Sequence, residues 1–240
     1  MIVWEDQAIV LSVRPFGEDG LIASVLTAEQ GKRAGLIRAG QSQKRRAIFE
    51  PGNRLDLRWS GRLDEHLGHF EGEVNRSYPA LVMDEPARLS ALLSALSISD
   101  FVVPDREGLP AFFQGLDALL EALNGDFWAA VYVRWELSLL AALGFALDLD
   151  SCAGGGDADK LAYVSPKSGR AVSEEAGEPY RDKLLPLPGF LVGRPELDDE
   201  AIGRGLDLSA HFLRKHLFHP QNRDLPAVRD RLMENFVTEL

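Results

Sequence analysis

Ala8-Ile-Val-Leu-Ser-Val-Arg14, broken by Pro15-Phe16-Gly17 and resumed after Asp19-Gly20 as Leu21-Ile-Ala-Ser-Val-Leu26, is the stretch on which the fold turns. Two short apolar runs rich in β-branched residues, separated by a glycine-bearing turn, predict a hairpin. Gly31 opens a third run, Ala34 to Arg38, which gives way to the polar, basic stretch Ala39-Gly-Gln-Ser-Gln-Lys-Arg-Arg46, predicted as a loop. Pro51-Gly52-Asn53 is a further turn signal, and Leu55-Asp-Leu-Arg-Trp59 after it alternates apolar with polar at period two. Phe70 to Val74 supplies a fifth strand. Five short strands punctuated by turns predict a small closed barrel of the OB or SH3 type, between which periodicity does not choose.

From Asp84 onward the period becomes helical. Pro86 stands where a first helical turn begins, and Leu89, Leu92, Leu93 and Leu96 recur at the spacing of one helix face. Phe112, Phe113, Leu116, Leu119, Leu120 and Leu123 repeat the pattern after Pro110. Phe127 to Leu147 is apolar nearly all round, its charges being Arg134 and Glu136, and reads as a buried central helix rather than a membrane span. Residues 148–159, with Gly154-Gly-Gly156, read as a loop, and 160–205 show little period of either kind. The chain then returns to helix through Leu208, Phe212, Leu213 and Leu217, and after Pro220 through Leu225, Val228, Leu232 and Phe236.

A net charge of −11 over 240 residues argues at first against a polyanionic partner. Resolved by region, it describes two surfaces. Residues 31–63 carry Lys32, Arg33, Arg38, Lys44, Arg45, Arg46, Arg54, Arg58 and Arg62 against Glu50 and Asp56, a local +7, whereas residues 81–150 sum to −8. Cations projecting from strands and a loop of a small barrel neutralise phosphates and release condensed counterions. Trp59, between Arg58 and Arg62, offers a stacking platform for an unpaired base or, equally in keeping with a strand, a core side chain.

Catalytic signatures are missing: there is no Walker phosphate loop, no Rossmann fingerprint after a strand, no His-Glu-x-x-His and no Gly-x-Ser-x-Gly elbow. A single Cys152 builds neither an internal disulfide nor a four-thiolate zinc site. His66 and His69 beside Asp64 and Glu65 read as a solvated turn before a metal site, and His211, His216 and His219 as a basic helix end with Arg214 and Lys215. Arg134 is the only basic residue between Arg106 and Lys160. A guanidinium in an apolar helix must meet a carboxylate or reach water, so it reads either as an internal salt bridge or as a docking point for an acidic peptide. The N-terminal Met-Ile-Val-Trp-Glu-Asp has neither the basic nor the apolar region of a secretory signal, which predicts a cytoplasmic protein.

Trp4-Glu-Asp-Gln-Ala-Ile-Val-Leu11, Phe16-Gly-Glu-Asp-Gly20, the basic stretch, Leu143-Gly-Phe145, Leu149-Asp-Ser-Cys152 and Val164-Ser-Pro-Lys-Ser-Gly169 resemble, in that order, the RecO family of recombination mediators. The resemblance implies an α+β protein: an N-terminal OB-fold over 1–80, a helical domain from 81–150 and 206–240, and a zinc-ribbon-like insertion over 151–205. Here that insertion has lost its cysteines, so no metal or other cofactor is expected, and its folding must rest on Leu161, Tyr163, Val164 and Val172. The resemblance further implies a non-enzymatic, cytoplasmic and nucleoid-associated protein that binds single- and double-stranded DNA and anneals strands. Its implied partners are RecR, the acidic C-terminal tail of single-stranded DNA-binding protein, with Arg134 as the expected contact, and indirectly RecA. A protein-interaction adaptor whose basic barrel grips an acidic partner is the alternative.

Overall fold

A computed structural model describes residues 1–238. Strands β1 (Ile2–Phe16), β2 (Gly20–Thr27), β3 (Lys32–Ile37), β4 (Asn53–Gly61) and β5 (His69–Ser77) close into a barrel in the order β1-β2-β3-β5-β4. This is the OB order, which decides between the two barrels that periodicity left open. β1 is longer than its apolar run because it serves two partners. Its first half, Ile2 to Ile9, pairs with β4, and its second half, from Ala8 to Phe16, pairs with β2, with a register shift between Val10 and Ser12. A bulge at such a point sharpens the twist and turns the strand from one side of a barrel to the other. The circle is completed by the parallel pairing of β3 with β5 at Leu36 and His69, where the Leu36 N–H donates to the Gly68 carbonyl at 3.0 Å.

Inside, Val10, Ala23, Val25, Ile37, Leu55, Leu57, Trp59 and Phe70 form the core, each from the inward-facing parity of its strand. Gly35 is required on β3, because a Cβ there would lie 2.5 Å from the Phe70 ring. The basic stretch after β3 is a short helix, α1 (Gln43–Ile48), rather than a loop. Helical spacing turns consecutive cations about 100° apart, which eases the repulsion between Lys44, Arg45 and Arg46 and sets the last two at the negative end of the helix dipole. Phe49, fully buried, and the Asn53 amide, donating to the carbonyls of Ala47 and Ile48, moor its end.

After the short turn α2 (Pro79–Val82), helices α3 (Pro86–Val102) and α4 (Pro110–Ala122) begin at the prolines expected of them. They pack on the outer face of β1 and β2. The Asp100 carboxylate near the end of α3 accepts hydrogen bonds from Ser12 and Ser24 at 2.8 and 2.5 Å, and Asp117 of α4 accepts from Arg54 and from Tyr78, each at 2.8 Å. Burial and the Asp117 charge push the Tyr78 phenol up to about 12. The chain forms two compact units, 1–125 and 126–240, and α3 and α4 fall in the first with the barrel strands.

The second unit is built on α5 (Trp128–Ala142). It stops short of the expected Leu147 because Gly144 adopts φ +89°, with its N–H on the Ala141 carbonyl and the Phe145 N–H on Leu140, a Schellman ending. The insertion carries the three-stranded sheet β7-β6-β8, made of β6 (Leu161–Val164), β7 (Ala171–Ser173) and, after the single turn α6 (Glu174–Gly177), β8 (Leu185–Pro186). Leu161, Val164 and Val172 are buried in it, and Tyr163 is half-buried. Helix α7 (Asp199–Leu213) runs into a single π turn, Arg214–Phe218, and α8 (Ala227–Thr238) follows. Leu225, Val228 and Leu232 are buried as expected, while the Phe236 side chain lies outside the described part. Among the described residues no group of His, Cys, Asp and Glu is placed to share a metal, and no helix is long and apolar enough to cross a membrane.

Two features of this unit have measurable consequences. Glu136 of α5, with no exposure to solvent, accepts from Arg229 of α8 at 2.6 and 2.9 Å and from the Ser209 hydroxyl of α7. Burial opposes the Arg229 charge, but the Glu136 carboxylate outweighs it and holds the guanidinium protonated. Leaving either charge unpaired costs about 3–5 kcal/mol. Glu136→Ala or Arg229→Ala is expected to lower the unfolding free energy in urea by that amount, and the paired change Glu136→Leu/Arg229→Met by much less. In the insertion, the Cys152 sulfur lies 3.4 Å from the Ser173 hydroxyl and accepts the Ser173 N–H at 3.2 Å. Those donors, the hydroxyl first and then backbone N–H groups, outweigh the effect of burial and bring the thiol down to about 7. Its alkylation by iodoacetamide should reach half its maximal rate near pH 7, and Ser173→Ala should move that midpoint upward.

Candidate nucleic-acid interface

The nine cations of residues 31–63 separate into two groups once their neighbours are known. Three are held inside the fold. Lys32 donates to the Asp100 carbonyl at 2.6 Å and pairs with Asp105 at 3.2 Å. Arg33, only 8% exposed, pairs with Asp64 at 3.0 Å, donates to the Gln30 carbonyl and lies over the Trp4 ring. Arg54 pairs with Asp117 and also donates to the Gln7 amide oxygen. These side chains hold α3, α4 and the β4–β5 loop to the barrel, and they have little charge left to offer a phosphate.

Trp59 is not a stacking platform. It is 1% exposed, stacked on Trp4 at 5.5 Å with 10° between the rings, and its indole N–H donates to the Leu67 carbonyl at 3.1 Å. The β4–β5 loop closes over it at Gly68, which has φ +60° and whose Cβ would stand 2.2 Å from the indole nitrogen. An inward strand position, alternating with exposed Arg58, places it there.

Arg38, Lys44, Arg45, Arg46, Arg58 and Arg62 remain, with no ion pair to any of them among the described residues. Arg38, Arg45 and Arg62 line one groove of about 460 Å³ together with His66 and His69, between β3, α1 and the β4–β5 loop. Leu36, Gly68 and Phe70 contribute to its walls, and Glu71 is its one acid. The Arg38 guanidinium lies 3.1 Å from His69 Nε2; since arginine only donates, that nitrogen is the acceptor. His66 and His69, read from sequence as a solvated turn, thus belong to the groove. Only the β3–β5 register, which sets Leu36 beside His69, brings them to Arg38.

Arg58 falls elsewhere. Across β1, β4 and β5 it stands between Glu5 and Glu71 in register, and the next row sets Asp56 beside Glu73. Cross-strand neighbours of opposite sign offset its charge. This second groove, about 880 Å³, carries Glu5, Asp6, Asp56, Glu71 and Glu73 against Arg45 and Arg58. The exposed outer surface of the barrel is thus basic at its β3–α1 end and acidic along β1, β4 and β5, while α3 and α4 cover β1 and β2. In the second unit, Arg134 is exposed and donates to the Phe190 carbonyl; it makes no salt bridge among the described residues, so the internal ion pair read as one option for it is not formed.

Two family models match the sequence: "Recombination protein O N terminal" over residues 1–78 and "Recombination protein O C terminal" over 83–225. The chain belongs to the RecO family. It is 49% identical over 235 residues to the DNA repair protein RecO of Rhodospirillum centenum, covering 97% of this chain and 94% of that one. It is 44% identical over 242 residues to that of Rhodospirillum rubrum, covering 98% and 96%, and 42% identical to that of Caulobacter vibrioides NA1000, covering 96% and 98%. The OB-type barrel coincides with the N-terminal family region, and the basic groove lies wholly within it.

Proposed function

We propose that this chain is a DNA repair and recombination mediator without enzymatic activity, which holds DNA in the groove of Arg38, Arg45 and Arg62. The observation that carries the reading is that groove: three guanidinium groups and two imidazoles converging on one concave surface of an OB barrel, against a single carboxylate. Lys44 and Arg46 extend the cationic surface along α1. Such a surface holds backbones while leaving base edges free, which suits both single and double strands and lets complementary strands pair. Membership of the RecO family supports the further reading that the protein works with RecR on DNA coated by single-stranded DNA-binding protein, so that RecA is loaded, in the cytoplasm and at the nucleoid. The domain division proposed for these roles is the barrel over 1–80 for DNA, the helices of 81–150 and 206–240 for protein partners, and 151–205 as the insertion.

Affinity for a fluorescein-labelled oligonucleotide should fall steeply with salt. Because each single-strand phosphate contact contributes about 0.7 to the log–log slope, the Arg38→Ala/Arg45→Ala/Arg62→Ala variant should lose about 2 units of slope. It should also anneal complementary oligonucleotides more slowly, and the Lys32→Ala variant should keep the wild-type slope. A wild-type protein that binds no oligonucleotide at any salt would point instead to a protein-binding adaptor.

Arg134 is proposed as the contact for the acidic tail of single-stranded DNA-binding protein. One donor of its guanidinium is engaged by the Phe190 carbonyl, and four remain for a carboxylate. In fluorescence anisotropy with a labelled peptide of that tail, Arg134→Ala should weaken binding about tenfold with oligonucleotide affinity unchanged; unchanged peptide binding would remove Arg134 from the contact.

A further inference from the structure

Leu143-Gly-Phe145 and Val164-Ser-Pro-Lys-Ser-Gly169 lie in the second unit, and neither takes part in the barrel groove. The fold brings both to the π turn that ends α7. Phe145, placed by the Schellman ending of α5, stacks on His216 with centroids 4.6 Å apart and 18° between the rings. His216 in turn lies 6.0 Å from Phe212 at 6°, so the three rings form one near-parallel column. Lys215 stands 5.7 Å over Phe212 and donates to the carbonyls of Pro166 and Lys167 at 2.7 and 2.8 Å, tying the 165–169 turn to the column. π turns of this kind are frequent at functional sites.

The column has an open end, and near it stand Lys167 and Lys215, which form no ion pair among the described residues. Phe145 is 37% exposed although one of its faces is covered by His216. Segments 164–170 and 211–219 contain Lys167, Arg170, His211, Arg214, Lys215, His216 and His219 and not one carboxylate. Arg214 is neutralised by Asp224 and Asp230, and Arg170 by Asp148, but exposed Lys167 has no ion pair among the described residues. Burial, then the charges of Lys215 and His211, hold the His216 imidazole below the usual histidine value.

We propose that this column is a second nucleic-acid contact, taking an unpaired base on Phe145 while Lys167 and Lys215 meet its flanking phosphates. The ligand is single-stranded rather than duplex, because paired bases are already stacked on one another and present no free face. Stacked rings with lysines beside them match the alternation of base and phosphate along a single strand. The proposal rests on the reading that DNA is the ligand, and it gives that reading a base-dependent contact in addition to the phosphate-dependent one of the barrel.

The full chain is titrated with labelled oligothymidylate and with an abasic oligonucleotide of equal length, which carries the phosphates without bases. Phe145→Ala should weaken oligothymidylate binding about tenfold and leave the abasic strand unaffected. Phe145→Trp should keep the wild-type affinity, and the emission of its added indole should be quenched by oligothymidylate and not by the abasic strand. Unchanged oligothymidylate affinity in Phe145→Ala, an equal loss on both strands, or an unquenched indole in Phe145→Trp each overturns the proposal. The Arg38/Arg45/Arg62 variant separates the two readings: it should weaken both strands. If it does so while Phe145→Ala changes neither, the barrel reading stands and this one falls; if the wild type binds neither strand, both fall.

Discussion

The double duty of β1 is the constraint on which the first unit depends. One strand must pair with β4 along its first half and with β2 along its second, and the register shift between Val10 and Ser12 is where it passes from one to the other. Closure follows only because β3 then meets β5 in parallel at Leu36 and His69. Every later feature of the site inherits that geometry. The Leu36–His69 pairing carries His69 to Arg38, the inward parity of β4 sends Trp59 into the core, and the β4–β5 loop lies across the barrel end with His66 and Arg62 on the groove.

Electrostatics then divides the cations by what the fold sets beside them. Lys32, Arg33 and Arg54 hold helices and a loop in place, each against an acid far away in sequence. Arg38, Arg45 and Arg62 have no such partner among the described residues, and their convergence makes a concave basic surface out of a protein whose total charge is negative. Arg58 shows how local the division is. One strand position moves it from a basic run in sequence to an acidic row in space, between Glu5 and Glu71.

In the second unit the corresponding constraint is the buried Glu136, around which α5, α7 and α8 assemble through Ser209 and Arg229. The sequence shows a carboxylate in an apolar helix but not its partner, which comes from the last helix of the chain. In the same unit Leu161, Val164 and Val172 pack within the small sheet, and the Cys152 thiol is lowered to about 7 against Ser173.

Strand parity, turn residues and helix-starting prolines are local signals. By itself the sequence therefore determined the barrel strands, the helices that open at Pro86 and Pro110, the location of the +7 stretch and the family. The OB order, the end of α5 at Gly144, the helical form of the basic stretch and the burial of Trp59 were decided by tertiary structure. So was the choice of which cations face a ligand. Charge in a sequence is a sum over residues, whereas charge available to a phosphate is what remains after each guanidinium has met the carboxylates that pairing between distant segments brings within about 4 Å.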